Sequence, residues 1–309
     1  MIPIEITTAN EGIRLDALIA SYYPHLSRAT IKRFIDQGNI LRSDGKKCTK
    51  GDKISLLYTY MLTEEPVEQT LQPNPDIPLH ILYEDEALLA INKPAAINCQ
   101  PNKIDETDTL ANALLNYCSP LEGVGDSPLT CGILHRIDFD TSGLILVAKN
   151  QSIYNQLREQ FAAHTVEKHY AALVTGRITT PAKLEHYLAH NPRCPGRMVD
   201  ASQWHDVKRP MYAATAYEPR WQRQLQNHPV SLLDVTIFTG VTHQIRAQLS
   251  LAGYPIVGDK QYGGLQVDGF PRHFLHAASA QFVHPLTQRS MTLQAPLQKD
   301  LTKLLSKIK

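Results

Sequence analysis

The sequence predicts two domains that mix helices and strands, and three observations predict it. The chain has 309 residues, and at about 150 residues per domain that length holds two. Its charge is partitioned: residues 1–53 carry nine Lys/Arg against six Asp/Glu, residues 54–92 carry seven acids and no base, and residues 93–309 carry 22 bases against 17 acids. Segments with helical and with strand periodicity both recur along it. The acidic middle holds Pro66, Pro73, Pro75 and Pro78 without an apolar period, so it reads as a linker. The expected organisation is a small domain at 1–60, an acidic Pro-rich linker at 61–76 and a large domain at 77–309.

Composition bounds the class. At 43% hydrophobic and 20% charged residues, the chain is not a disordered one. A net charge of +1 argues on its face against a nucleic-acid binder. The partition removes that objection, because two basic domains are masked by one acidic segment. The start, MIPIEITTANEG, has no basic region followed by an apolar run, so no signal peptide is expected. No stretch reaches the roughly 18 apolar residues of a membrane span. Cys48, Cys99, Cys118, Cys131 and Cys194 make no CxxC pair and lie at no finger-like spacing from a His. They read as buried free thiols of a reducing, cytoplasmic compartment, without structural zinc.

In the small domain, Leu15, Leu18, Ile19 and Tyr22 form one apolar helix stripe that Pro24 ends. Ser27 suits the N-cap of the next helix and Gly38 its end. There Ile31, Phe34 and Ile35 face inward, while Arg28 and Lys32 project together with Arg33 beside them. Short strands are expected at Asn39–Leu41 and Ile54–Tyr58. A basic helix face is a candidate phosphate contact; the plainer reading is a solvated face.

In the large domain, the apolar run Leu144–Ala148 reads as a buried strand, with Ser142-Gly143 breaking the chain before it. His135, Arg136, Asp138 and Asp140 then sit on a loop held by a rigid strand, where reactive residues concentrate. An acid flanked by Arg136 can stay ionised. Asp138 and Asp140 suit a glycosidase-like carboxylate pair only weakly; Asp140 before Thr141-Ser142 reads as a loop cap. No further ligand completes a metal set. Ile153, Leu157 and Phe161 predict a helix, followed by a strand with Tyr170, Ala172 and Val174 on one face. Leu233, Val235 and Ile237 predict a half-buried strand. Thr242 can cap the next helix, where Arg246 lies near the start and off the apolar stripe. The polar stretch 183–210, with Arg193, Arg197, Lys208 and Arg209, reads as a long excursion between strands, either a phosphate-gripping segment or a merely solvated loop.

The residues RLDALIASYYPHLSRATIKRFIDQGNILRSDGKKCTKGDKISL resemble the S4 RNA-binding domain, which implies that Arg28, Lys32 and Arg33 touch an RNA backbone. HRIDFDTSGLILVAK resembles the catalytic motif of RluA-type RNA pseudouridine synthases. YEDEALLAINKPAAI (83–97), DTLANALL (108–115), EKHYAALVTG (167–176), THQIRAQLSLAGYPIVGDKQYGG (242–264) and LHAASAQFVHPLT (275–287) match that family's motifs in order.

This resemblance implies an α+β catalytic fold with a central mixed, largely antiparallel sheet, preceded by a small S4-like α/β domain. It implies Asp138 as the essential carboxylate, Tyr170 as the active-site tyrosine and Arg246 as the partner of Asp138. Lys93, His135 and Arg136 become candidates for RNA backbone contacts or for filling the stack left by a flipped base. The implied partner is RNA, foremost large-subunit ribosomal RNA with transfer RNA as the alternative. The implied enzyme is a monomer that needs no cofactor, metal or membrane. A non-catalytic assembly factor that keeps the fold is a second reading, and a carbohydrate hydrolase a third. Three positions depart from the family pattern. Val241 stands where the family has Arg, which points to a lost phosphate contact or an altered substrate preference rather than lost chemistry. Phe139 replaces a polar or basic residue and can stack or pack. Ala96 replaces a Gly, so that turn is expected to differ.

Overall fold

The computed structural model describes residues 1–67, 70–102 and 106–308. Part of the expected linker at 61–76 lies outside the described residues. The chain divides into two compact units, Met1–Leu71 with Asp126–Leu129, and Gln72–Gly125 with Thr130–Lys309.

The first unit comprises β1 (Ile2–Ile4), α1 (Leu15–Tyr22), α2 (Arg28–Asp36), β2 (Ile40–Arg42) and β3 (Tyr60–Leu62). Its antiparallel sheet runs β1-β3-β2. The Ser27 hydroxyl accepts the Thr30 amide at 3.1 Å and caps α2. At the other end Gly38 takes φ +85°. Its amide reaches Ile35 O while the Asn39 amide reaches Phe34 O, a Schellman closure. Leu15, Leu18, Ile19, Ile31, Phe34 and Ile35 form the core with Ile40, Tyr60 and Leu62. Tyr22, expected on the buried stripe, is exposed, and its hydroxyl donates to Glu5 O.

Two expectations for this unit need correction. Residues Ile54–Tyr58 form no strand, because Leu56 and Leu57 point to solvent. The buried–partly buried–buried alternation falls at Tyr60–Met61–Leu62 instead, and that segment is the central strand. The unit therefore continues past residue 60 to Leu71. β1 has no strong alternating signal; it forms because β3 offers it an open edge.

The second unit is α+β. Its strands are β4 (Ile81–Glu84), β5 (Leu88–Lys93), β6 (Ser142–Ala148), β7 (Glu167–Thr175), β8 (Ala182–Asn191), β9 (Cys194–Asp200), β10 (Met211–Leu225), β11 (His228–Ile237), β12 (Leu275–Val283) and β13 (Ser290–Gln294). Its helices are α3 (Leu110–Tyr117), α4 (Gln151–Ala162), α5 (Gln244–Leu251) and α6 (Lys299–Leu305). The sheet runs β4-β5-β6-β12-β7-β11-β10-β8-β9, with β13 on β12. Every pairing is antiparallel except β6 with β12. One core packs β7, β11, α5 and α6 through Leu173, Val235, Leu249 and Leu301. Another packs β5, β6, β12 and α4 through Leu88, Leu146, Phe282 and Leu157.

Further differences concern this unit. Ser142 and Gly143 do not break the chain; they begin β6. Gly143 takes φ +120°, and a Cβ there would stand 2.2 Å from Ala277 O. Only glycine allows β12 to approach that closely in parallel. Residues 183–210 are no loop but mainly the hairpin β8–β9, whose inward residues Leu188 and Met198 join an apolar cluster. His243, at φ +52°, occupies the N-cap of α5 in place of Thr242. Buried Gln244 closes this start, its Oε1 accepting Thr239 Oγ1 and the Val241 amide. Among the cysteines, Cys48, Cys99 and Cys131 are buried thiols, but Cys194 is exposed and Cys118 half-buried. Among the described residues no helix is long and apolar enough to cross a membrane.

Candidate active site

The chain before β6 runs alongside it, with the Leu134 amide on Leu146 O at 3.0 Å. At the next residue the His135 side chain takes over: its Nε2 accepts the Leu146 amide at 3.1 Å. The imidazole therefore stands where a strand carbonyl would, and the chain is released into a loop. The ring stacks on Phe161 at 5.2 Å. Burial pushes its pKa down to about 3, helped by the charges of Lys168 and Arg158. His135 is thus neutral, and it cannot serve as a cationic backbone contact.

Asp138 opens a tight turn, closed by the Thr141 amide on Asp138 O at 3.1 Å. Side chains from distant segments hold this turn by its polar groups. Lys93 Nζ donates to Phe139 O at 3.2 Å, and to Pro94 O and Ile97 O at 2.8 Å each. Arg272 Nη1 donates to Asp140 O at 3.0 Å, and the guanidinium forks onto Asp300. His273 Nε2 and Thr141 Oγ1 lie 2.7 Å apart.

Lys93 is fully buried, so it is no RNA contact. Its stem fills the core at the end of β5, and three carbonyls use all three of its N–H donors. Burial, which penalises the ammonium, brings its pKa down to about 8. Burial likewise brings His273 down to about 4, with Arg246 adding to the effect.

Arg246 is also buried, contrary to a surface placement. Its Nη1 donates to Asp138 Oδ2 at 2.9 Å. The contact with Asp138 is single, and the guanidinium forks onto Asp259 instead, at 2.7 Å from Nε and 3.1 Å from Nη2. Nη2 also reaches Gln261 Oε1 at 2.9 Å, and the guanidinium lies 5.1 Å from the Tyr262 ring. Burial disfavours the Arg246 charge, but Asp259 and Asp138 outweigh it and hold the guanidinium firmly protonated. Burial alone would raise Asp259; the hydrogen bonds and charge of Arg246 bring it below the usual carboxylate range. His243 Nε2 stands 3.9 Å from Asp138 Oδ2, and burial lowers its pKa.

Asp138 itself keeps about a quarter of its side chain exposed, at 23%. Among the described residues its Oδ1 accepts no hydrogen bond. One carboxylate oxygen is thus fixed by Arg246, and the other has no hydrogen-bond donor among the described residues. Tyr170 lies on the inward face of β7 and is buried. Burial, and then the Asp138 charge, push its phenol above the ordinary value, so it stays protonated.

The geometry brings Asp138 and Arg246 into contact and sets Tyr170 within reach of the same charge. Arg136 and Phe139 are exposed on the loop, so Phe139 is not a packing residue. Arg28, Lys32 and Arg33 belong to the first unit. There Arg28 and Lys32 are exposed, whereas Arg33 turns one guanidinium nitrogen inward without a partner. Val241 packs on the cluster of Leu188, Met198 and Tyr262 rather than facing solvent as a cation would. Ala96 adopts φ +61°, the conformation a glycine takes there at no cost. Sequence reasoning missed Asp259, Gln261, Tyr262, His243, Arg272 and His273. The run GDKQYGG held the signal for the first three, as a glycine-flanked acid in an otherwise polar turn.

Comparisons with known proteins agree with this architecture. The sequence model of the RNA pseudouridylate synthase family matches residues 87–251. Ribosomal large subunit pseudouridine synthase D of Zymomonas mobilis is 34% identical over 313 residues, covering 97% of this chain and 96% of its own. The protein of that name from Escherichia coli is 30% identical, covering 95% of this chain and 90% of its own. Among solved structures, human RNA pseudouridylate synthase domain containing 1 aligns with a TM-score of 0.58 at 24% identity, over 76% of this chain and 96% of its own. Human RNA pseudouridylate synthase domain containing 4 aligns at 0.56 and 21%, over 74% and 92%. These two share the fold. By family match, full-length relatives and fold together, the chain belongs to the RluA-type RNA pseudouridine synthases, which are isomerases.

Proposed function

We propose that the chain isomerises uridine in large-subunit ribosomal RNA, with Asp138 as the essential carboxylate. The supporting observation is the Asp138 side chain, fixed through Oδ2 by Arg246 and free at Oδ1. The substrate follows from the relatives, which are named for the ribosomal large subunit.

The reaction breaks the N1–C1′ bond, turns the uracil and joins C5 to C1′. The C5 proton leaves and N1 gains one. No electrons are gained or lost overall, so the chemistry needs no redox cofactor. It needs an ionised carboxylate, as a nucleophile at the sugar or uracil or as a base at C2′. Arg246 keeps that carboxylate oriented, and Asp259 keeps Arg246 from swinging away. Tyr170, held as a phenol, stacks on the base and donates a hydrogen bond; it is ill-suited as a resting base for the C5 proton. A uridine inside a stack cannot reach Oδ1, so the base is flipped, with Arg136 and Phe139 on the loop beside it. The first unit, with its S4-like helix pair, grips the RNA through Arg28 and Lys32. The compartment this implies is the cytoplasm.

The test is a pseudouridine map of total RNA from a deletion strain. One site or a few in large-subunit ribosomal RNA should be lost. The wild-type chain should restore them and Asp138→Asn should not. A map identical to the parent's would overturn the reading.

A further inference from the structure

Beside Tyr170 lies a small pocket lined by His135, Leu144, Lys168, Tyr170, Ser279 and Ala280. Lys168 and Tyr170 are two residues apart on β7, so they share a face. Lys168 is the anomaly. It is half-buried, and its ammonium stands 5.7 Å from the Phe161 ring. No carboxylate, carbonyl or hydroxyl accepts from it among the described residues. Among the described residues the buried cations of this unit, Lys93, Arg246 and Arg272, are treated differently; Arg272 meets Asp300 and the Asp140 carbonyl. Arg246 meets Asp259 and Asp138, and Lys93 meets three carbonyls. The neighbouring His135 ring is neutral, so it offers the ammonium no compensating charge. Burial lowers the Lys168 pKa, and no acid offsets it. An ammonium drawn from water without an acceptor is costly. The described residues supply no acceptor, which leaves the position open to one from outside the chain.

We propose that Lys168 binds a phosphodiester of the RNA next to the flipped uridine and so positions the base over Tyr170. A uracil carbonyl would satisfy the N–H donors but would leave the charge unbalanced; a phosphate does both. This rests on the RNA-modifying reading above. Lys168 is a positioning residue, since its contact is with the backbone and not with the atoms that react.

The experiment measures binding of unmodified large-subunit ribosomal RNA transcript against salt concentration for the full-length chain, Lys168→Met and Lys168→Arg. Losing one phosphate contact lowers the salt slope by about 0.7–0.9 and shrinks the affinity change between 50 and 200 mM salt about threefold. Lys168→Met should show that drop and raise KM more than it lowers kcat, and Lys168→Arg should restore the slope. An unchanged slope in a folded Lys168→Met chain overturns the proposal. A second readout avoids the loss of a side chain. The ¹³C-dimethylated Lys168 signal, assigned by its absence in Lys168→Arg, should titrate at higher pH once RNA is bound; no movement overturns the proposal. Wild-type pseudouridine formation is the control. If it proceeds while the slope is unchanged, the Lys168 proposal alone fails. If RNA binds with the expected slope change and no pseudouridine forms, the functional reading alone fails. RNA that does not bind at all overturns both.

Discussion

The cations of the two units are used in opposite ways. On α2 of the first unit, Arg28 and Lys32 project into solvent, and Lys32 pairs with Asp36 at 3.1 Å with both side chains about half exposed. Such a pair contributes about 0–1 kcal/mol and leaves the charge available. In the second unit, Lys93, Arg246 and Arg272 are buried, and their donors are committed to the turn around Asp138 or to the acids beside it. There the charges work as struts. Cation content is thus a poor guide to where RNA is held. What matters is whether a cation's donors are all committed to buried internal acceptors, and by that criterion Lys168 belongs with the first unit's cations although it sits among the second unit's.

The contrast makes predictions of decreasing size. Lys93→Met should destabilise most, since three carbonyls lose their donor at once. At about 1–3 kcal/mol for each orphaned group, the loss should reach about 3–5 kcal/mol in denaturant unfolding. A loss under 1 kcal/mol would break the contrast. Arg246→Lys should come next. A compact ammonium cannot hold Asp138, Asp259 and Gln261 together. Turnover should fall roughly 10²-fold with KM little changed, in single-turnover assays on the mapped RNA.

Acid should weaken the second unit through its neutral histidines. His135 and His273 have folded pKa values near 3 and 4, below the ordinary 6.5. The unfolded chain therefore binds more protons between these values. The stability they lend is complete above pH 6.5 and is lost as pH falls towards 4. Tm measured from pH 7 to 4 should drop, and less steeply in His273→Gln. The smallest effect belongs to the solvated face: Lys32→Ala should change stability by under about 0.5 kcal/mol while weakening RNA binding at low salt. A stability loss above 1 kcal/mol would mean that this face, too, is structural.

How much of this the sequence discloses depends on range. Helices α1, α2 and α4 and strands β6, β7 and β11 are legible because their apolar periods are local. Asp138, Tyr170 and Arg246 stand out through ordered motifs. What supports them is not legible, because it arises from contacts far along the chain: Arg246 reaches Asp138 across 108 residues, and Arg272 reaches Asp140 across 132. Lys93 and Arg246 look like surface cations in any short window. Only packing reveals that they are interior. The hairpin at 183–210 escapes detection for a different reason, since its outward face is so polar that the alternation of Leu188 and Met198 is diluted.

The parallel seam between β6 and β12, where Gly143 meets Ala277, has a bearing on the order of folding. The turn at Asp138 is written near the middle of the chain, yet Arg272 and His273, which pin it, precede β12 near the end. During synthesis, from the amino terminus onward, the motif emerges after Lys93 but long before these two fasteners. Long-range pairing of this kind forms late. A nascent chain therefore carries Asp138 on a loop that only Lys93 can hold until Arg272 and His273 have been made, and the turn is fully pinned with the docking of β12 rather than with exposure of the motif.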